Sequence, residues 1–178
     1  MKNLKIPKIQ QKLIETEIDS LIINRTDEFL NEYIPPDAER LYWITNFSGS
    51  AGRAIINQNT STLFVDGRYT FQANEQIDKN VISLSHWNDY SQELNKIFNK
   101  NKCIGLDPML HSIEEVIKII ELAKKNETRL HFTFPNLIDE LWQDKPQRQY
   151  SIIFDHPVNY AGIDALDKVG QFVKELKS

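Results

Sequence analysis

The amino-acid sequence predicts an α/β fold, with a mixed β-sheet of five or six strands flanked by helices on both faces. Short apolar runs alternate with segments whose apolar residues recur every three or four positions, as strands and helices do in this class. Two successive strand-like runs are separated only by polar turn formers at residues 57–61, which predicts a hairpin and hence a mixed sheet. Several strands read as continuous apolar runs, which indicates that helices cover both faces.

The predicted helices share apolar residues at three- and four-residue spacing. The first follows Pro7, a residue suited to a helix start. A later helix begins at Ser112, three residues before Glu115, in the capping-box pattern. The predicted helices cover residues 8–18, 66–77, 89–99, 112–123, 137–142 and 164–177.

The predicted strands are apolar or alternating segments bounded by polar or turn-forming residues. Asp107 and Pro108 stop one of them, and Pro135 stops the last. The predicted strands cover residues 21–23, 54–57, 62–65, 81–84, 103–106 and 130–134.

Three segments fall outside this alternation. Pro35 and Pro36 forbid a helix and disfavour a central strand, so residues 24–41 are expected to cross the surface as a loop. Residues 41–44 are compatible with a short helical turn or with an extended piece. The small residues 49–52 predict a tight turn that needs unusual backbone angles or a close approach. No Gly-Lys-Ser/Thr follows them, which excludes a Walker phosphate loop.

The chain is expected to contain one domain and the opening of another. Residues 1–144 form the predicted first domain, and the polar, proline-containing residues 145–157 form a predicted linker. Residues 158–178 are interpreted as the first helix of a truncated second domain. Its apolar stripe is expected to pack poorly on the first domain or to dock on another copy of the chain. The stripe consists of Ile163, Leu166, Val169, Val173 and Leu176.

Composition narrows the function classes. The 178 residues carry a formal net charge of −4, which argues against a general nucleic-acid binder with a basic face. One cysteine, Cys103, excludes a disulfide framework within the chain and a Cys-rich zinc site. No apolar run approaches the ~20 residues that span a membrane, and the N-terminus lacks the apolar stretch of a secretory signal. A cytoplasmic location without membrane attachment is therefore expected.

No complete catalytic constellation is visible in the residues themselves. The four histidines are isolated from one another and from metal-ligand patterns, so surface or hydrogen-bonded structural roles are expected for them. Cys103 lies in an apolar strand, where cysteine usually packs as a small hydrophobe. Adjacent carboxylates, as at residues 114–115 and 139–140, point in different directions on a helix and do not make an acid–base pair.

An ordered series of short motifs nevertheless resembles a known family. Glu32-Tyr33-Ile34-Pro35-Pro36 leads it, and the later motifs keep the same order and close spacing over essentially the whole chain. The chain is similar to the N-terminal domain of Xaa-Pro aminopeptidases, of the creatinase/prolidase superfamily. The other motifs are Glu39-Arg40-Leu41, Phe47-Ser48-Gly49-Ser50-Ala51-Gly52, Val65-Asp66-Gly67-Arg68-Tyr69, Gln72-Ala73, Ile104-Gly105-Leu106-Asp107-Pro108, Asn136-Leu137-Ile138-Asp139, Leu141-Trp142-Gln143-Asp144-Lys145-Pro146, Tyr160-Ala161-Gly162 and Asp167-Lys168-Val169.

The resemblance implies a creatinase N-terminal-like α/β domain without catalytic or metal-binding residues of its own. Enzymes of this family remove the N-terminal residue that precedes proline in a peptide. They do so in a separate C-terminal domain of pita-bread fold that holds two metal ions, often manganese. The N-terminal domain contributes to substrate access and to subunit contacts, so a homodimer acting on Xaa-Pro peptides is implied. Two alternatives stay open: a free-standing binding or oligomerisation module, and a small α/β enzyme that uses Cys103.

One residue, Arg68, is the candidate for substrate contact. It follows Gly67 at the end of a predicted strand, and open α/β sheets tend to bind ligands beyond such ends. A cation in the first turn of a helix opposes the helix dipole, so helix stability does not explain it, whereas Asp66 suits the cap. The resemblance implies that this arginine touches the bound peptide, whose carbonyl or carboxylate a guanidinium can hold.

Overall fold

The computed structural model describes residues 3–177, which divide between Arg148 and Gln149 into two compact units. Over these residues the first unit holds a six-stranded sheet with six α-helices. Its strands are β1 (Ser20–Asn24), β2 (Gly52–Asn57), β3 (Ser61–Val65), β4 (Ser83–His86), β5 (Cys103–Leu106) and β6 (Arg129–Phe132). Its helices are α1 (Lys5–Glu15), α2 (Arg40–Thr45), α3 (Thr70–Gln76), α4 (Tyr90–Lys100), α5 (Ile113–Lys125) and α6 (Leu137–Leu141).

The sheet has the strand order β4-β3-β2-β1-β5-β6. β2 pairs antiparallel with both of its neighbours, β1 and β3, whereas the other three pairings are parallel. In the described chain, five strands therefore run in one direction and β2 runs in the other. The mixed sheet and the β2–β3 hairpin predicted from the sequence are confirmed.

Alternate side chains of the strands enter two cores, one on each face of the sheet. One core contains Leu21 and Ile23 of β1 together with buried side chains of α1, α2, α3 and α6. The other contains Ile22 of β1 together with buried side chains of α4 and α5. Every residue of β1 and of β5 is buried. Helices on both faces, predicted from the continuous apolar runs, are confirmed.

Helix α1 begins at Lys5 and not at residue 8, so that Pro7 lies within its first turn. Proline is tolerated there because the first N–H groups of a helix have no partner inside it. Beyond the helix, Glu17 has a left-handed backbone (φ 55°), and the Ile18 N–H donates to the Leu13 carbonyl oxygen at 2.9 Å. This turn directs the chain into β1, and the prediction that the helix runs through residue 18 is wrong.

Strand β4 begins at Ser83, two residues after the start predicted from the apolar run at residues 81–84. The N–H groups of Val81 and Ile82 both donate to the Asp78 carbonyl oxygen, at 3.1 and 2.9 Å. These two N–H groups belong to a turn and therefore do not pair with β3. Ile82 contributes its side chain to the core, so the apolar run reflects burial and not strand position.

Residues 40–45 form a short helix, which resolves the alternative left open by the sequence. Trp43 of this helix stacks on Trp142, just after α6, with ring centroids 5.7 Å apart. Arg40 and Asp139 connect the same two helices through two hydrogen bonds of 2.8 Å. The predicted capping box at Ser112 and Glu115 is confirmed, since each side chain accepts from the backbone N–H of the other.

The last residues of the first unit form ion pairs with side chains from earlier in the chain. Arg148 Nε donates to Asp37 Oδ2 at 3.0 Å, and its guanidinium also bonds to Glu28. Lys145 Nζ donates to Asp139 Oδ2 at 2.8 Å. Because these contacts hold the 145–148 segment, the first unit includes it.

The second unit contains α7 (Val158–Ala161) and α8 (Ala165–Leu176). The Asp164 side chain caps α8 by accepting from the Leu166 N–H at 2.8 Å. Gly162 lies between the helices with a positive φ of 81°, a conformation that favours glycine. Within this unit, the described residues leave the apolar stripe of α8 exposed. Its packing partner stays a prediction.

Gly49 is required by a close approach and not by its backbone angles. A Cβ there would lie 2.2 Å from Phe47 Cζ and 2.8 Å from Tyr69 Cδ1. Phe47 is fully buried, so its ring cannot move aside without disturbing the core. Of the two explanations offered by the sequence for residues 49–52, the close approach is the one found at Gly49.

Gly49→Ala is therefore expected to lower the free energy of unfolding of the first unit by about 1–3 kcal/mol, the usual cost of overpacking. Urea titration followed by tryptophan fluorescence measures it, because all three tryptophans lie in this unit. Gly170→Ala, where the added methyl meets nothing within 4 Å, is the control and should leave this transition unchanged. Equal midpoints for both variants would contradict the packing argument.

Candidate functional site

The five parallel strands all end at one edge of the sheet, and the reversed strand β2 begins there. Asp66 and Asp107 directly follow β3 and β5. Asn24 and His86 are the last residues of β1 and β4. The carboxyl edge of a parallel sheet is where open α/β folds commonly bind ligands. This edge is therefore the candidate functional site.

Arg68 lies at this edge with its side chain 75% exposed. Its Nε donates to Asp66 Oδ1 at 2.8 Å, and its guanidinium lies 5.6 Å from the centroid of the Tyr69 ring. The hydrogen bond from Arg68 holds the pKa of the Asp66 carboxyl below its usual range. Asp66 also accepts from the Arg68 N–H at 3.0 Å, so the predicted cap is confirmed. Contact of Arg68 with substrate stays a prediction.

The fold brings two motifs of the sequence, residues 47–52 and 65–69, into direct contact. Tyr69 Oη lies 2.6 Å from Ser50 Oγ, within hydrogen-bond distance. The Tyr69 ring also meets Phe47 edge-on, with centroids 5.9 Å apart. The turn that precedes β2 therefore supports the segment that presents Arg68.

An open cleft of about 610 Å³ lies at the same edge, around Arg53 near the start of β2. The Arg53 guanidinium lies 4.9 Å from the ring centroid of Trp87 and 5.1 Å from that of Tyr90. Its Nη2 donates to Glu115 Oε1 at 2.6 Å. Stacking and ion pairing together hold the guanidinium in a fixed orientation. The cleft thus combines a positioned cation, an aromatic wall and a carboxylate.

The sequence analysis missed this cleft. Arg53, Trp87 and Glu115 are far apart in the chain and belong to three different elements. The available signal was Arg53 itself, a charged residue near the start of an otherwise apolar strand. Such a residue needs a partner, but nothing in the sequence identifies Glu115 as that partner.

His111 is a buried, hydrogen-bonded histidine, as expected for the isolated histidines of this sequence. Its Nδ1 lies 2.9 Å from Asn24 Nδ2 and 3.8 Å from Glu115 Oε2. Burial lowers the pKa of His111, and Arg53 lowers it further, whereas Glu115 and Asp107 oppose the shift. At neutral pH this ring is therefore uncharged.

The other candidates from the sequence do not assemble into a catalytic group. Cys103 is 2% exposed, and burial raises the pKa of its thiol, so it packs as a small hydrophobe, as expected. The neighbours Glu114 and Glu115 pair separately with Lys118 and Arg53. Among residues 3–177, no three His, Cys, Asp or Glu side chains lie close enough together to hold a metal ion. Over the same residues, no helix has both the length and the apolar character needed to cross a bilayer.

Sequence comparison shows that this domain is similar to part of known peptidases. The family model for the creatinase/prolidase N-terminal domain matches residues 5–140. A probable Xaa-Pro aminopeptidase P of Penicillium rubens is 34% identical over 182 residues, covering 98% of this chain but 29% of the relative. The corresponding protein of Aspergillus niger is 32% identical with the same coverage. The chain therefore spans less than a third of the length of these relatives.

Solved structures show the same fold. An X-prolyl aminopeptidase of Caenorhabditis elegans, described as a cytosolic enzyme with a di-nuclear active site, matches with a TM-score of 0.80 and 23% identity. The match covers 99% of this chain and 31% of that one. The N-terminal domain of the cytoplasmic peptidase PepQ of Mycobacterium tuberculosis matches with a TM-score of 0.56 and 16% identity, over 74% of this chain and 94% of that one.

Stability should fall as the pH drops below about 6.5, because the unfolded chain then binds a proton that buried His111 resists. The slope contributed by this one group is at most about 1.4 kcal/mol per pH unit. His111→Gln should flatten that part of the profile, measured as urea midpoints followed by tryptophan fluorescence. The exposed His156 provides the control, His156→Gln, which should keep the wild-type slope. An unchanged slope in His111→Gln would contradict the assignment.

Proposed function

The chain belongs to the creatinase/prolidase N-terminal domain family, and from this premise we propose that it serves a longer Xaa-Pro aminopeptidase as its non-catalytic N-terminal part. It is an N-terminal creatinase-like domain that matches only about 29% of the length of its curated relatives. That ratio is the observation on which the proposal rests. The chemistry then belongs to the part of the relatives that this chain does not match.

In this proposal the catalytic residues and the metal site lie outside the present chain. The whole protein removes the residue that precedes proline at the N-terminus of a peptide, and two metal ions, manganese first among the candidates, would supply Lewis-acid chemistry in the part that this chain does not match. What these residues supply is shape and charge at the carboxyl edge of the sheet. There Arg68 is exposed and Arg53 is fixed in its cleft.

Arg68 is the residue we assign to substrate binding. Its side chain is 75% exposed, and the guanidinium is paired with one carboxylate, that of Asp66. The turn at residues 47–52 supports the neighbouring Tyr69 through Ser50. A positioned, exposed guanidinium can donate to a peptide carbonyl or to a C-terminal carboxylate. The contact is to peptide and not to metal.

The proposed domain division assigns residues 1–144 to the creatinase-like domain, residues 145–157 to a linker whose first four residues are held to that domain by Lys145 and Arg148, and residues 158–178 to the start of a second domain. The exposed apolar stripe on α8 supports this division, because an amphipathic helix with so few contacts in its own unit requires a further apolar surface.

The whole protein is proposed to be a homodimer held by subunit contacts, and to be cytoplasmic. Sedimentation velocity on the longer protein tests this, and a monomer at micromolar concentration would contradict it.

A free-standing binding or oligomerisation module is the second candidate. The architecture of the first unit favours it, since the unit has two hydrophobic cores of its own and a six-stranded sheet. The gene sequence past codon 178 distinguishes the two functions. A frame that continues into a domain rich in Asp, Glu and His supports the peptidase, whereas an immediate stop codon supports the module.

We expect the 178-residue chain to show no turnover of an Xaa-Pro peptide with added Mn²⁺, because residues 3–177 offer no metal-holding group. The measurement is release of the N-terminal amino acid, with the longer protein assayed in parallel as the positive control. Metal-dependent turnover by the short chain would contradict the proposal. Loss of any such activity in Cys103→Ala would instead support the small cysteine enzyme.

In the longer enzyme, Arg68→Ala is expected to lower kcat/KM for an Xaa-Pro peptide by about 10- to 100-fold, the usual value of a charged hydrogen bond to substrate. Metal content and the unfolding midpoint should stay at wild-type values. Arg129→Ala is the matched control, because Arg129 is an exposed arginine at the start of β6, on the opposite edge of the sheet. Equal kinetics for the two variants would make Arg68 an ordinary surface arginine.

A further inference from the structure

A second, much smaller cavity lies beneath the carboxyl edge of the sheet, among the ends of β1, β5 and β6. Its volume is about 10 Å³, and Asn24, Asp107, Thr133 and His111 are among the residues that line it. A polar cavity of roughly 10–15 Å³ has room for one water molecule. Asn24 is the last residue of β1, Asp107 and Thr133 directly follow β5 and β6, and His111 lies four residues after Asp107.

Two polar atoms at this cavity have no protein partner. Asn24 Oδ1 and Thr133 Oγ1 are both buried, and among residues 3–177 neither has a hydrogen-bond partner. The residues themselves are only 3% and 2% exposed, so bulk solvent does not reach them. Buried polar groups in folded proteins are nearly always hydrogen-bonded, to protein or to ordered water. Two such atoms on residues that line one small cavity point to a ligand that bonds to both.

The orientation of the Asn24 amide is fixed by its other contacts. Asn24 Nδ2 lies 3.4 Å from the Leu110 carbonyl oxygen and 2.9 Å from His111 Nδ1. A carbonyl oxygen only accepts, so the amide nitrogen must face it, and Oδ1 needs a donor elsewhere. His111 Nδ1 must then accept from Asn24, which leaves the ring proton of the neutral histidine on Nε2.

We propose that one water molecule occupies this cavity, donating to Asn24 Oδ1 and accepting from the Thr133 hydroxyl. The Asp107 carboxylate is the acceptor for its second proton, which gives the water the three partners that buried waters usually have. The water satisfies Asn24 Oδ1, while the Leu110 carbonyl oxygen fixes the amide orientation and with it the Nε2–H form of His111. Because His111 also lines the Arg53 cleft, the cleft then contains a neutral imidazole of defined tautomer.

The chemistry of the walls favours water over a metal cation. A cation of the alkali or alkaline-earth type needs about six oxygen ligands, and this cavity offers fewer. Each Asp107 carboxylate oxygen already accepts one hydrogen bond, from the Met109 N–H at 3.0 Å or from Asn136 Nδ2 at 2.8 Å, and keeps a lone pair for a water proton. The charged groups around the His111 ring are Glu115, Arg53 and Asp107, of mixed sign.

The test is a crystal structure of this chain at atomic resolution. We expect one density peak within hydrogen-bond distance of Asn24 Oδ1 and Thr133 Oγ1, without anomalous signal after a rubidium soak. The peak should disappear in Thr133→Val, which keeps the shape but removes the hydroxyl, and persist in Thr133→Ser. An empty cavity in the wild type, or a rubidium signal within it, would overturn the proposal.

Nitrogen NMR of the His111 ring at neutral pH provides an independent readout. We expect Nδ1 unprotonated and Nε2 protonated in the wild type. Thr133→Val and Thr133→Ser should both keep this tautomer, because the Leu110 carbonyl oxygen and not the water orients the Asn24 amide. A proton on Nδ1 in the wild type would overturn the proposal. If Thr133→Val does not fold, the wild-type density and the wild-type tautomer still decide.

Discussion

Strand β1 is the element on which the rest of the structure depends. All five of its residues are buried, so its backbone N–H and C=O groups have no access to solvent. β2 pairs with it along its full length on one side, and β5 pairs with three of its residues on the other. Its side chains alternate between the two cores, Ile22 in one and its neighbours in the other. Both faces must therefore be covered by helices, and the order of the sheet follows from this central position.

The reversed direction of β2 gives the carboxyl edge its character. In a purely parallel sheet this edge would carry only the residues that follow each strand. Here the edge also receives the turn at residues 47–52 and Arg53, because β2 starts where its neighbours end. The turn packs against Tyr69, and Arg53 reaches Glu115 and two aromatic rings. One antiparallel strand thus converts a set of strand ends into a cleft with fixed charges.

The fold class was predictable because burial of one or both faces gives the apolar residues of each helix and strand a characteristic spacing. β5 was predicted at residues 103–106 and observed there, since its apolar run coincides with its ladder. β4 was placed two residues early, because Val81 and Ile82 are apolar for the sake of the core while their N–H groups belong to a turn. A single sequence does not distinguish these two reasons for an apolar run. Capping was predictable at Ser112 because both partners of the capping box lie within four residues.

The sequence by itself determined the α/β class, the hairpin, the capping box and, through its ordered motifs, the family. It also singled out Arg68, whose partner Asp66 is two residues away. Only the tertiary structure decided which distant side chains meet: Arg53 with Glu115, Asn24 with His111, and Thr133 beside the same cavity. The physical reason is that local geometry follows from neighbouring residues, whereas these encounters depend on strand order and direction. The order and direction of the strands result from the packing of the whole chain, which no short stretch of sequence encodes.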